Sequence, residues 1–212
     1  MDLIITADDF GLNPKTNRNI TELFLRKKIH RASLLVNFPS SKKALKLAKK
    51  YQIPIGLHFN LIEGRPLSPP FEIKTLTNSR GLFYPSYIFL PKLISGKIKT
   101  SEIEKELLAQ LNFLKINGVP ATFINSHQNI HLFPPIYQII KKHTPALPLR
   151  SFQSVTNRFQ KFPLKLALIK IISKFVPLYP GNDEAKEIFV HPGTNYDLNF
   201  LEKLLWPATN KK

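Results

Sequence analysis

A chain of 212 residues with 43% hydrophobic and 11% aromatic content can bury a real core as one good-sized domain, which excludes wholesale disorder. It has no cysteine, so disulfides and thiolate catalysis are excluded. The net charge of +17 invites a nucleic-acid reading, but the 31 basic residues are scattered as singles and pairs. No zinc-finger spacing, RNP-like aromatic motif or basic zipper accompanies them, so nucleic acid is not the expected partner.

The chain opens with Met1, a charged residue and a short apolar run, which is no secretory signal. Leu164 to Val176 is apolar but is broken by Lys165, Lys170 and Lys174 and is too short for a membrane span. A soluble cytoplasmic protein is expected. The first apolar run, Ile4 to Ala7, reads as a buried strand and stops at Asp8-Asp9-Phe10-Gly11. Asn13-Pro14 starts a helix that Ile20, Leu23, Phe24 and Lys27-Lys28 continue. Ala32 to Val36 is a second strand, Ser40-Ser41 opens a second helix, and Pro54 to Leu61 holds a third strand. That alternation predicts βαβ units and a parallel sheet.

From residue 62 to 100 the pattern loosens, with Pro66, Pro69, Pro70, Pro85 and Pro91, into a long loop excursion at the end of the third strand. Ser101-Glu102-Ile103-Glu104 reads as a capping box for a helix striped by Ile103, Leu107, Leu111 and Leu114. Ala121 to Ile124 is a fourth strand, running into Asn125-Ser126-His127-Gln128-Asn129-Ile130-His131. A helix near Pro135 to Lys142 and a short strand near Leu147 to Leu149 follow. Residues 152 to 182 hold one apolar helix, Glu187 to Val190 forms a last strand before His191-Pro192-Gly193, and Leu198 to Leu205 forms a last helix. With no internal repeat or low-complexity linker, residues 1–212 read as a single domain.

An Asp-Asp pair at a strand end often marks only a solvated turn or a helix cap. Here four of the six histidines, His58, His127, His131 and His191, fall at or just beyond the ends of expected strands. Ligands of parallel α/β proteins bind at that rim. Imidazoles with one carboxylate are what Zn²⁺ or another borderline divalent cation uses in an open catalytic site. A further carboxylate then serves as general base and a histidine as acid. Consecutive strand residues face opposite ways, so both aspartates reach one site only if the strand breaks there, for which Phe10-Gly11 is suited.

Ala7-Asp8-Asp9-Phe10-Gly11, Gly56 to Leu61 followed by Glu63-Gly64-Arg65-Pro66-Leu67, Ser126-His127-Gln128 with His131 and Pro134, and His191-Pro192-Gly193 resemble the YdjC-like carbohydrate deacetylase family. Gln110 also fits. The resemblance implies a TIM-barrel-like (β/α) barrel and removal of acetyl groups from N-acetylated sugars. It also implies one divalent metal ion, Mg or Zn, held by Asp9, His58 and His127. Asp8 is then the candidate general base and His191 the candidate acid or substrate contact. Asn125, Asn129, His131 and Arg150 are candidates for contacting substrate or supporting the ligands.

This chain departs from the family pattern at two positions: Asn125 stands where an aspartate is usual, and Asn129 where a histidine is usual. The short stretch between Arg150 and His191 and the short tail imply an incomplete or open barrel. The expected function is metal-dependent deacetylation of an N-acetylated saccharide. The alternative is a weakened family member that binds a carbohydrate or an acidic partner, and a homodimer is a candidate assembly.

Overall fold

The computed structural model describes residues 3–151 and 186–192. The expected helices within 152–182 and at Leu198 to Leu205 lie outside the described residues. Strands β1 (Leu3–Phe10), β2 (Arg31–Leu34), β3 (Ile55–Phe59), β4 (Ile124–Ser126) and β5 (Lys186–Val190) form one sheet in the order β4-β3-β2-β1-β5. Every pairing is parallel, and the sheet curls into a half barrel. The expected short strand near Leu149 is a single parallel bridge to Ile124 at the free side of β4.

Helices α1 (Pro14–Leu25), α2 (Ser41–Tyr51), α3 (Ser86–Ile94), α4 (Thr100–Ile116) and α5 (Pro134–His143) accompany the strands. Asn13 caps α1 as expected, its side chain accepting from the Thr16 amide at 2.9 Å. The helix ends sooner than expected, however: Arg26 is its C-cap and Lys27 turns to φ +57, so Lys27-Lys28 lie beyond it. The capping box at Ser101 does not form, because α4 begins at Thr100 with Lys99 as a cap that makes no side-chain bond. Glu102 instead reaches across to the excursion and accepts from the Thr75 amide and hydroxyl, both at 2.7 Å. The excursion is more ordered than its prolines imply. It contains a 3-10 turn at Pro70–Glu72, an antiparallel bridge between Thr77 and Phe83, and helix α3, which holds Pro91 within it.

Successive strand residues face opposite sides, and here the two sides differ in chemistry. One set (Ile5, Ala7, Ala32, Leu34, Ile55, Leu57, Ile124) joins Ile20, Leu23, Ala44, Leu45, Ile103 and Leu107 of the helices in the apolar core. The other set lines the inside of the half barrel and is largely polar. Thr6 and Asp8, Arg31 and Ser33, His58, Asn125 and Glu187 lie there, joined by hydrogen bonds across the strands. Gly56 gives room in this layer: a Cβ on it would stand 2.5 Å from the Phe123 ring, whose face also carries the Arg31 guanidinium at 3.8 Å.

Arg150 closes this interior. It follows the bridge beside β4, and its side chain spans to the strands at the other end of the sheet. Nη1 and Nη2 donate to the two oxygens of Asp8 at 2.6 and 2.9 Å, and Nε and Nη2 donate to those of Glu187 at 3.0 Å each. The guanidinium also sits 4.1 Å from the centre of the Phe189 ring. Burial alone would raise both carboxyl pKa values, but the Arg150 charge outweighs it and holds them below the ordinary range.

Two outcomes follow from this packing. Gly56→Ala drives a methyl into Phe123, and urea unfolding should register a loss of about 1–3 kcal/mol. Arg150→Met strands two buried carboxylates and should cost about 3–5 kcal/mol. The contribution of Asp8 and Glu187 is present above their unfolded pKa values of roughly 4 and is lost as pH falls through the depressed folded ones. Wild-type stability measured against pH should therefore decline on the acid side of about pH 4.

Candidate metal centre

β1 does not run straight through its aspartates. Ala7 pairs with Ala32 and Phe10 with Leu34, so Asp8 and Asp9 occupy the space opposite Ser33 alone, forming a β-bulge. Asp9 takes φ +67, a conformation that costs of order 1–3 kcal/mol in a non-glycine residue and is best tolerated by Asp and Asn. The break thus falls at the aspartate pair, as expected, and centres on Asp9. Gly11 then makes the turn out of the strand at φ +96, where a Cβ would stand 2.5 Å from the Leu35 carbonyl oxygen. The bulge aims both carboxylates at the inside of the half barrel.

Asp9 Oδ1 lies 3.2 Å from His58 Nε2 and 3.2 Å from His127 Nδ1, and the two ring nitrogens are 3.4 Å apart. Among the described residues this is the one group of three or more such side chains whose donor atoms cluster closely enough to hold a metal ion. Four ligands at about 2.0–2.1 Å in a tetrahedron stand roughly 3.3 Å from one another. The triangle therefore matches a small divalent cation, and its two nitrogens and one oxygen suit a borderline ion.

The other nitrogen of each imidazole is also occupied. Asp8, held as an anion by Arg150, accepts from Asn125 Nδ2 at 3.0 Å and from Ser33 Oγ at 2.8 Å. The amide orientation of Asn125 is thereby set, and its Oδ1 faces His58 Nδ1 at 2.7 Å. His58 consequently donates through Nδ1 and keeps the Nε2 lone pair for the triangle. His127 Nε2 lies 2.8 Å from Glu63 Oε2. Burial disfavours a charged His127, but hydrogen bonds to Asp9 and Glu63 prevail and lift its pKa to about 9. Asp9 is held well below its ordinary value by the same two histidines, against the opposing effect of burial.

The remaining candidate residues divide between the rim and the interior. His191 Nε2 stands 3.7 Å from Asp8 Oδ2 at a partly exposed position. His131 is fully buried and faces no solvent. Its Nδ1 pairs with Ser126 Oγ at 2.6 Å, and its Nε2 reaches the Arg150 carbonyl at 3.0 Å. It fixes the backbone that carries Arg150, and burial keeps it neutral with a pKa of about 3. Asn129 is half-buried in the turn after His127, at φ +57. His30 and His143 are structural: His30 Nδ1 accepts from the Ile5 amide, and His143 pairs with Glu104.

Sequence reasoning missed Ser33, Glu187 and the side-chain role of Glu63. Ser33 and Glu187 were visible only as polar residues inside expected strands, a signal too common to single them out.

A family model described as YdjC-like protein matches residues 2–179. The chain is 41% identical over 138 residues to a carbohydrate deacetylase of Danio rerio, covering 65% of this chain and 44% of that protein. It is 34% identical over 152 residues to a chitooligosaccharide deacetylase of Yersinia enterocolitica, covering 70% of this chain and 58% of that one. It thus spans about half the length of these relatives. A crystal structure from Enterococcus faecalis V583, 22% identical, superposes with a TM-score of 0.68 over 95% of this chain and 84% of the other, which shows the shared fold. With most of its length matched by the family model, the chain belongs to the YdjC-like family.

Proposed function

We propose that the chain is the catalytic part of a metal-dependent deacetylase that hydrolyses the acetamide of an N-acetylated sugar. One observation carries this reading: the Asp9–His58–His127 triangle lies beside a second carboxylate, Asp8, held ionised by Arg150 and approached by His191. The names of the relatives, deacetylases of carbohydrate and of chitooligosaccharide, supply the substrate class.

In this reading Asp9 Oδ1, His58 Nε2 and His127 Nδ1 hold the ion. A divalent ion held by these residues would supply polarisation of the amide carbonyl and easier ionisation of water near neutral pH. Asp8 takes the proton of the attacking water through Oδ2, the oxygen toward His191, which accepts from Arg150 Nη1 whereas Oδ1 accepts from Ser33, Asn125 and Arg150 Nη2. His191 lies on the partly exposed side, suited to protonating the leaving amine. Asn125 serves both halves of the site, since one side chain orients His58 and donates to Asp8.

Metal analysis of the purified protein, paired with acetate release from N,N′-diacetylchitobiose, tests the proposal. Stoichiometric ion with acetate release is the expected outcome; stoichiometric ion with no release from a broad panel of N-acetylated sugars would sink it in favour of a binding protein. Asp8→Asn should abolish turnover while the ion is retained, and loss of the ion instead would exchange the two aspartate roles. Asn125→Asp sets a second carboxylate about as close to Asp8 as the present amide. Like charge raises a carboxyl pKa, so the acid limb of the kcat/KM profile should move to higher pH in this variant.

A further inference from the structure

We infer that Glu63 is a positioning residue for the metal centre: its carboxylate orients His127 for ligation, and a clamp on α4 holds Glu63 in place. The inference rests on reading the Asp9–His58–His127 triangle as a metal site.

The contact is direct. Glu63 Oε2 lies 2.8 Å from His127 Nε2, the nitrogen pointing away from the triangle, while Nδ1 points into it. A histidine that donates one N–H to a carboxylate has its tautomer and ring orientation fixed and its other nitrogen made more basic. His58 gets the equivalent support from Asn125 and Ser33, both buried on strands. His127 gets it from a loop residue whose side chain is 49% exposed. The two ligands thus depend on different parts of the fold.

Such a loop needs its own support, and the structure provides it. The Glu63 amide donates to Asn60 Oδ1 at 3.2 Å, and its carbonyl accepts from Asn60 Nδ2 at 2.7 Å and Asn37 Nδ2 at 3.1 Å. Asn60 is in turn gripped through its backbone by Gln110, which accepts from its amide at 3.2 Å and donates to its carbonyl at 2.7 Å. One helical turn away, Glu106 accepts from the amides of Leu67 and Ser68 at 3.0 and 2.9 Å and from Gln110 at 2.8 Å. Asn60, Glu106 and Gln110 are fully buried. Both ends of the loop are therefore pinned to α4, with Glu63 between them beside His127.

Isothermal titration of the metal-stripped protein with Zn²⁺ tests the inference, alongside thermal melts without metal. Glu63→Ala should bind Zn²⁺ about 10–100-fold more weakly, the range for lost support of a ligating histidine. Glu63→Gln still offers an acceptor oxygen and should restore most of that affinity. The metal-free melting temperature should fall only slightly in Glu63→Ala and less in Glu63→Gln, because solvent screens the half-exposed pair with His127. Equal Zn²⁺ affinity in wild type and Glu63→Ala would overturn the inference and leave the proposed function standing. A rise in KM at unchanged Zn²⁺ affinity would also overturn it, by making Glu63 a substrate contact. No Zn²⁺ binding by the wild type would overturn the metal reading itself.

Discussion

The inside of this half barrel is organised by one buried cation. Arg150 donates to both oxygens of Asp8 and both of Glu187, tying the segment beside β4 to the strands at the opposite end of the sheet. A buried ion pair of this kind is a doubtful source of stability in itself, since desolvation offsets much of the attraction. Its value here is electrostatic order. With Arg150 present, Asp8 is an anion, and an anion at that point fixes the amide of Asn125 and through it the donor nitrogen of His58. His131 supports the arrangement from behind by holding the Arg150 carbonyl.

The bulge at Asp9 is the second constraint. A regular strand would send Asp8 and Asp9 to opposite faces, one of them into the apolar layer under the helices. Fitting both opposite Ser33 turns both inward and lets one be buried against Arg150 while the other meets two imidazoles. The backbone strain at Asp9 is thus linked to the site, as strained residues commonly are.

Much of this was legible in the sequence because barrel chemistry gathers at strand ends. The three short apolar runs that stop at Asp8, at His58 and just before His127 located both the strands and the candidate ligands. Less legible was anything set by a partner distant in the chain. Ser101 to Glu104 reads as a capping box, yet α4 already starts at Thr100, Glu102 accepts from Thr75, and Glu104 pairs with Lys142 and His143. Pro91 reads as a breaker, yet α3 runs through it. Glu63 looked like one residue of a motif, and its role became visible only when α4 was seen to hold its loop against His127. The break at the aspartate pair was legible, but the residue that takes the positive φ was not, because glycine is the usual residue there and Asp9 adopts it as well as Gly11.

In the proposed site Asp9, His58 and His127 hold one metal ion and Asp8 stands outside it. Anomalous scattering recorded at the zinc edge from crystals grown with Zn²⁺ addresses this most directly. One strong peak bounded by Asp9 Oδ1, His58 Nε2 and His127 Nδ1 is expected, with Asp8 still paired to Arg150. A peak ligated by Asp8 in place of Asp9, or no peak within the triangle, would contradict it.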